Sequence, residues 1–164
     1  MSSWFSSYGF ADVLRNLLIG AYPLDGRDIE LLSRMGVERV LNLVEDSEYR
    51  AGEREAVEQA LAAHGITEER VSLTDFGGLP AETLEDTVAT VNRWLDEDTR
   101  VYVHCRAGWQ RSAAVAAAVV AVREDLDIDE ALRFVQQRKP TADPLPHQRE
   151  DLQRWWQARA AAEA

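Results

Sequence analysis

One passage, Val101 to Val122, constrains what this chain can fold into more than any other stretch. Val101, Tyr102 and Val103 are β-branched or aromatic and follow a charged turn from Asp96 to Arg100. That pattern predicts a short buried strand. Ser112 then leads into Ala113–Val122, ten apolar residues rich in alanine, cut off by Arg123 and Glu124. That run predicts a buried helix. The loop between strand and helix carries the chain's only cysteine, Cys105, with Gly108, Arg106 and Arg111.

A loop of this kind favours phosphate. A turn running straight into a helix points several backbone N–H groups at one spot, and the helix dipole adds partial positive charge there. Gly108 allows a backbone conformation that a β-carbon would resist. Arg111, at the helix start, offers a planar fork of donors to two phosphate oxygens. A free thiol has a pKa of about 8.5, which helix N-termini and nearby cations lower to roughly 3.5–7.5. Cys105 is therefore expected to be a thiolate at neutral pH, and so a nucleophile toward a bound phosphate. Ser112 can donate to the sulfur and help it leave. His104 is expected to orient the loop through its ring nitrogens. The competing reading is a buried structural cysteine beside a surface arginine. Redox use is disfavoured, because no second cysteine exists to close a disulfide. A nucleotide-binding P-loop is excluded, because no Gly-Lys-Ser/Thr follows.

Composition bounds the partners. The chain has 164 residues, enough for one domain with a real core. Its 29 acidic and 18 basic residues give a net charge of −11, and Lys139 is the only lysine. Such acidity argues against nucleic acid and against strong membrane association, and fits a local positive pocket. His64, His104 and His147 lie far apart and lack metal-ligand spacing, so no metal and no cofactor are expected. The apolar run is too short to span a bilayer, and no basic region precedes an apolar stretch at the N-terminus. A cytoplasmic monomer is expected by default.

Taken in order, the chain alternates. Residues 1–12 form an N-terminal arm in which Trp4, Phe5, Tyr8 and Phe10 either pack back on the domain or touch a membrane or partner. Leu17–Tyr22 and Val37–Val44 read as strands, with a helix from Asp28 to Met35 between them. Glu45-Asp46-Ser47-Glu48-Tyr49-Arg50 follows the second strand at its C-terminal end. In open α/β sheets that is where ligands bind, so this loop either borders the site or is a solvated turn. Glu53–His64 predicts an amphipathic helix, and Ile66–Leu73 a strand whose first half Glu68 and Glu69 make irregular. Thr74–Pro80 is a loop. Ala81–Leu95 predicts a helix with Leu84, Val88, Val91 and Leu95 inward. Asp127 caps another helix, which Arg138-Lys139-Pro140 ends. A last helix begins near His147 with Leu152, Trp155 and Trp156 as its buried stripe, and residues 157–164 are expected to fray. The alternation predicts an α/β fold: one domain with a single, mostly parallel central sheet of four to five strands flanked by helices.

The pattern His104-Cys105-x-x-Gly108-x-x-Arg111-Ser112 resembles the signature of the cysteine-dependent protein tyrosine phosphatase superfamily, and the whole layout from about Leu18 to Trp156 resembles its dual-specificity branch. The resemblance implies a two-step phosphomonoester hydrolysis through a cysteinyl-phosphate. Cys105 attacks phosphorus. The N–H groups of Arg106, Ala107, Gly108, Trp109, Gln110 and Arg111, with the Arg111 guanidinium, hold the equatorial oxygens. The departing oxygen needs a proton, so a carboxylic acid should stand on a neighbouring loop. Asp75 is the candidate: it follows a strand, precedes Gly77-Gly78 and lies thirty positions before Cys105, about where dual-specificity phosphatases carry their acid. The alternative for Asp75 is a turn cap on its own backbone. Some relatives also place a glutamine where Gln148 stands, to position water.

The substrate stays open at this level. Arg106 adds charge, and Trp109 offers an apolar or stacking wall. Phosphoproteins bearing phosphotyrosine or phosphoserine/threonine are the generic expectation for the branch. A phospholipid phosphatase is the second reading, because the segments around Val101–Gly108 and Leu73–Pro80 and the acidic loop with Tyr49 are similar to the mitochondrial-type phosphatidylglycerophosphate phosphatases. Inositol or sugar phosphates are the third. A non-catalytic phosphate-binding module is a different class, disfavoured because Cys105, Arg111 and Asp75 are all present.

Overall fold

In a computed structural model, which describes residues 1–164, helix α1 (Ser3–Tyr8) is followed by strands β1 (Phe10–Leu14) and β2 (Leu17–Gly20). Helix α2 (Gly26–Arg34), strand β3 (Arg39–Asn42), helix α3 (Glu53–Ala63) and strand β4 (Thr67–Arg70) come next. Helix α4 (Ala81–Asp96), strand β5 (Val101–His104) and helices α5 (Arg111–Glu124), α6 (Ile128–Arg138) and α7 (Pro146–Glu163) complete the chain. The strands form one five-stranded sheet in the order β1-β2-β5-β3-β4. Only β1 runs antiparallel to its neighbour. The mostly parallel α/β layout expected from the alternation is the one observed, with β5 at the centre.

Side-chain alternation divides the core. Leu17, Ile19, Leu41, Val101 and Val103 face one side, where α4, α5, α6 and α7 pack. Leu18, Val40 and Tyr102 face the other, with Ile29 and Leu32 of α2 and Val57 and Leu61 of α3. From Ala113 to Ala121 every residue of α5 is buried. Their small size lets α5 lie close to the sheet and its neighbouring helices, and a larger residue there would overpack at about 1–3 kcal/mol.

The structure refines three local expectations. The N-terminal arm folds back on the domain: residues 3–8 form a helix and residues 10–14 the antiparallel edge strand. Its aromatics pack back, with Phe5 fully buried against Phe10 and Tyr102. Residues 157–163 do not fray but continue α7, where Arg159 pairs with Glu85 at 2.6 Å and lies over the Trp155 ring. Glu68 and Glu69 do not make the first half of their strand irregular but lie within it. β4 is an edge strand that alternates exposed and half-buried residues, and charge there blunts unwanted strand pairing.

Candidate active site

The site forms where β5 ends and α5 begins. In a parallel sheet the crevice beyond the C-terminal strand ends is where loops converge, and β5 has parallel neighbours on both sides. Cys105 follows β5 directly and is buried, with Sγ 3.3 Å from Ser112 Oγ. Gly108 has φ +77°, and a β-carbon there would stand 2.6 Å from the carbonyl carbon of Gly20. Both the left-handed backbone and the close approach to β2 require glycine. No main-chain acceptor is taken by any N–H from Arg106 to Ala113. Eight consecutive donors that follow the thiol in sequence thus take no main-chain acceptor, and the last of them belong to the N-terminus of a fourteen-residue helix.

Arg111 is almost fully buried, and its guanidinium is held on several sides. Nη1 donates to Glu48 Oε2 at 2.8 Å and to the Leu73 carbonyl at 2.9 Å, and Nη2 donates to Glu48 Oε1 at 2.7 Å. The acidic loop after β3 therefore borders the site, and Glu48 makes the bidentate contact. Burial alone would raise the Glu48 carboxyl. Hydrogen bonds from Arg111 and from the Glu45 N–H, with the charges of Arg111 and Arg106, outweigh it and hold the group below the usual carboxylate range. The capping box between Glu45 and Glu48 shapes this short turn. Spacing along the chain carried no sign of the pairing, which joins two loops 63 residues apart.

Asp75 reaches the same arginine. Its Oδ1 lies 3.2 Å from Arg111 Nη2, and the side chain is 30% exposed. It lines a hollow of 310 Å³ together with Cys105, Arg106, Ala107, Trp109, Gln110 and Arg111. The structure thus brings together the candidate acid, the thiol and the loop that the sequence singled out. Trp4, Tyr8 and Phe76 also line the hollow, and sequence reasoning had not put them there.

His104 and Gln148 lie behind the loop. The His104 ring is fully buried and stacks on Tyr102, with Nδ1 3.2 Å from the Cys105 carbonyl. Burial, reinforced by the Arg54, Arg111 and Arg70 charges, lowers its pKa to about 3 against the opposing effect of that bond. The ring is therefore neutral and donates from Nδ1, as a loop-orienting group should. Gln148 corrects its expected water-positioning role: it is fully buried and does not line the hollow. Its Oε1 accepts from the Leu145 N–H at 2.9 Å, and its Nε2 donates to the Gly77 carbonyl at 3.0 Å. It ties the Asp75 loop to the first turn of α7. The described side chains contain no cluster suited to hold a metal ion.

Comparison with known proteins agrees with this geometry. The family model for the dual specificity phosphatase catalytic domain matches residues 19–158. The protein-tyrosine-phosphatase IBR5 of Arabidopsis thaliana is 30% identical over 143 residues, which make up 86% of this chain and 48% of that protein. The chain thus spans about half the length of that relative. Human dual specificity phosphatase 28 is 30% identical over 150 residues, 89% of this chain and 77% of that one. The crystal structure of PTPMT1 in complex with PI(5)P superposes with a TM-score of 0.80 at 25% identity, covering 94% of this chain and 99% of that one. By its signature loop, its sheet and these matches, the chain belongs to the dual specificity phosphatase catalytic-domain family.

Proposed function

We propose that this protein is a cysteine-dependent phosphomonoester hydrolase acting on phosphoproteins, on phosphotyrosine and on phosphoserine or phosphothreonine. The observation that carries the reading is the run of N–H groups from Arg106 to Ala113 that follow Cys105 and take no main-chain acceptor, with the anchored Arg111 guanidinium beside them. Those fixed dipoles match the charge that develops on the equatorial oxygens of a transferring phosphoryl group.

In the first step the Cys105 thiolate forms the S–P bond as the bond from phosphorus to the departing oxygen breaks. Protonated Asp75 gives that oxygen its proton. Asp75, now a carboxylate, then takes a proton from water. The water oxygen bonds to phosphorus, and the S–P bond breaks. Ser112 Oγ, 3.3 Å from the sulfur, donates to the departing thiolate and lowers the barrier to the second step. Glu48 positions the Arg111 fork rather than touching substrate. No helix is long and apolar enough to cross a membrane.

Cys105→Ser is the direct test. Turnover of a chromogenic aryl phosphate should fall to background while orthovanadate still binds, and a chelator should leave the wild type untouched. Retained turnover in Cys105→Ser would end the cysteinyl-phosphate reading.

A phospholipid reading is favoured by the likeness to PTPMT1, whose solved complex holds PI(5)P, and to human phosphatidylglycerophosphatase and protein-tyrosine phosphatase 1, 29% identical over 120 residues. The net charge of −11 opposes docking on an anionic bilayer. A panel of phosphopeptides, phosphatidylglycerophosphate vesicles and inositol phosphates separates the two.

A further inference from the structure

Away from the catalytic hollow, one patch carries the opposite sign to the molecule as a whole. An open hollow of 480 Å³ runs along residues 12–15 at the end of β1 and is closed by Arg100, Phe134 and Arg138. It shares no residue with the hollow above Cys105. Three arginines face one aspartate there, on a chain of net charge −11. By contrast, the hollow beside α3 sets three arginines against three acids, and the one between α4 and α7 sets one against three. A local surplus of positive charge on an acidic molecule draws anionic groups to that spot.

The three arginines are not alike. Arg100 is committed: Nη2 donates to Asp12 Oδ1 at 2.8 Å, Nε to the Met35 carbonyl at 2.8 Å, and Nη1 to the Arg15 carbonyl. It neutralises Asp12 and fixes the end of β1. Arg15 and Arg138 are exposed, and neither pairs with a carboxylate. The Arg138 guanidinium lies over the Phe134 ring, 3.5 Å from its centre, and Nη1 donates to the Phe134 carbonyl at 3.0 Å. Stacking fixes the plane of that fork and leaves its remaining N–H edge open to a carboxylate. The backbone beside them is also unpartnered. β1 is an edge of the sheet, bonded on one side to β2. No N–H or carbonyl of residues 10–14 bonds outside that ladder. The outward groups of an edge strand are a template for another extended chain. α6 packs against β1, so Leu14 and Phe134 give the hollow an apolar floor.

We propose that the outer edge of β1 is a docking site for an extended acidic segment of a partner protein. The segment adds as a strand alongside β1, and its carboxylates meet the Arg15 and Arg138 forks. Main-chain pairing supplies affinity, and the two arginines supply the choice of sequence. β1 spans five residues with a bulge between Asp12 and Leu14, so the pairing is short and the charges decide it. A second copy of this chain is a poor occupant, because it brings the same surplus of arginine and a further net charge of −11. The patch lies by the start of β2, where Leu14 pairs with Leu17, whereas the phosphate loop meets β2 at its other end, where Gly108 approaches Gly20. A docked segment therefore leaves the catalytic hollow open.

The test reads binding directly, by fluorescence anisotropy of a labelled peptide that alternates glutamate and threonine, on the full chain. Binding should be saturable at low ionic strength and weaken as salt rises. Replacing every glutamate of the peptide by glutamine should weaken it about tenfold or more. Arg15→Gln and Arg138→Gln should each cost about threefold and together about tenfold, the worth of exposed charge pairs, at an unchanged melting temperature. Arg133→Gln, exposed on α6 but outside the hollow, should bind as the wild type does. Methylating alternate peptide nitrogens removes main-chain donors and should cost about tenfold. The proposal is overturned by an absence of binding at low salt, by full affinity in the double variant, or by an equal loss in Arg133→Gln. Full affinity of the methylated peptide would sink strand addition, and displacement by citrate as effective as by unlabelled peptide would leave only a general anion site. Tighter binding of a short oligothymidylate, or a wild-type dimer in sedimentation velocity that Arg15→Gln dissociates, would assign the patch to a different occupant and end the proposal.

Discussion

At the scale of single residues, the proposed chemistry rests on Asp75 and Arg111. The carboxyl lies 3.2 Å from Arg111 Nη2, so it stands at the edge of the fork that is to bind phosphate. A proton delivered from there matters most when the departing oxygen is a poor leaving group. Asp75→Asn should therefore slow alkyl phosphates by about 10²-fold or more and aryl phosphates distinctly less. Steady-state kcat on matched alkyl and aryl substrates checks this, and equal losses would remove Asp75 from the acid's role. Glu48 shows what residue types alone could not say. An acidic turn after a strand reads equally as solvated surface, and only the reach of Arg111 across 63 residues makes it part of the site.

At the scale of elements, the acid loop depends on α7. Gln148 Nε2 donates to the Gly77 carbonyl, and Asp151 Oδ2 accepts from the Leu79 N–H at 2.8 Å. His147 Nε2 faces the Phe76 and Gly77 carbonyls at 3.0 and 3.2 Å, so it must carry the proton. Three side chains from the first turns of one helix thus fix a loop about 70 residues earlier in the chain. Each such bond is worth about 1 kcal/mol, enough to bias a short loop but not to freeze it. Asp151→Ala or Gln148→Ala should lower kcat on alkyl phosphates about tenfold by displacing the acid, while orthovanadate affinity stays put because the cup is untouched. A parallel rise in the orthovanadate Ki would show that the damage had spread to the phosphate loop.

For the whole molecule, pH links the site to stability. His104 titrates near 3 when folded and has an ordinary value of 6.5 when unfolded. Between those values only the unfolded chain binds the proton, so stability falls as pH drops from about 6.5 toward 3. Glu48 adds to this further down: its depressed carboxyl stabilises the fold above its ordinary value of 4.5, and that contribution is lost as pH falls through the folded value. Denaturant unfolding at several pH values should show progressive loss of stability below about pH 6.5. His104→Asn should be less stable overall yet flatter between pH 6.5 and 4.5. An unchanged slope would mean that the imidazole is not the group titrating.

Local chemistry along the chain was enough for the catalytic loop and the α/β class. Cys105, Gly108, Arg111 and Ser112 are contiguous, and the strand before and the helix after them each declare themselves by their own residues. Alternation and periodicity likewise placed most helices within a turn of where they lie. Tertiary structure alone decided what depends on distant partners. β1 became a strand because β2 offers it a pairing edge, and α1 closed over the phosphate loop because Asp28 and Arg106 offer it acceptors. α7 stayed helical to Glu163 because Arg159 finds Glu85. Gln148 became a tether because Gly77 faces it. A short segment with few contacts of its own takes its conformation from whatever surface it meets, and that surface is built by residues far away in the chain.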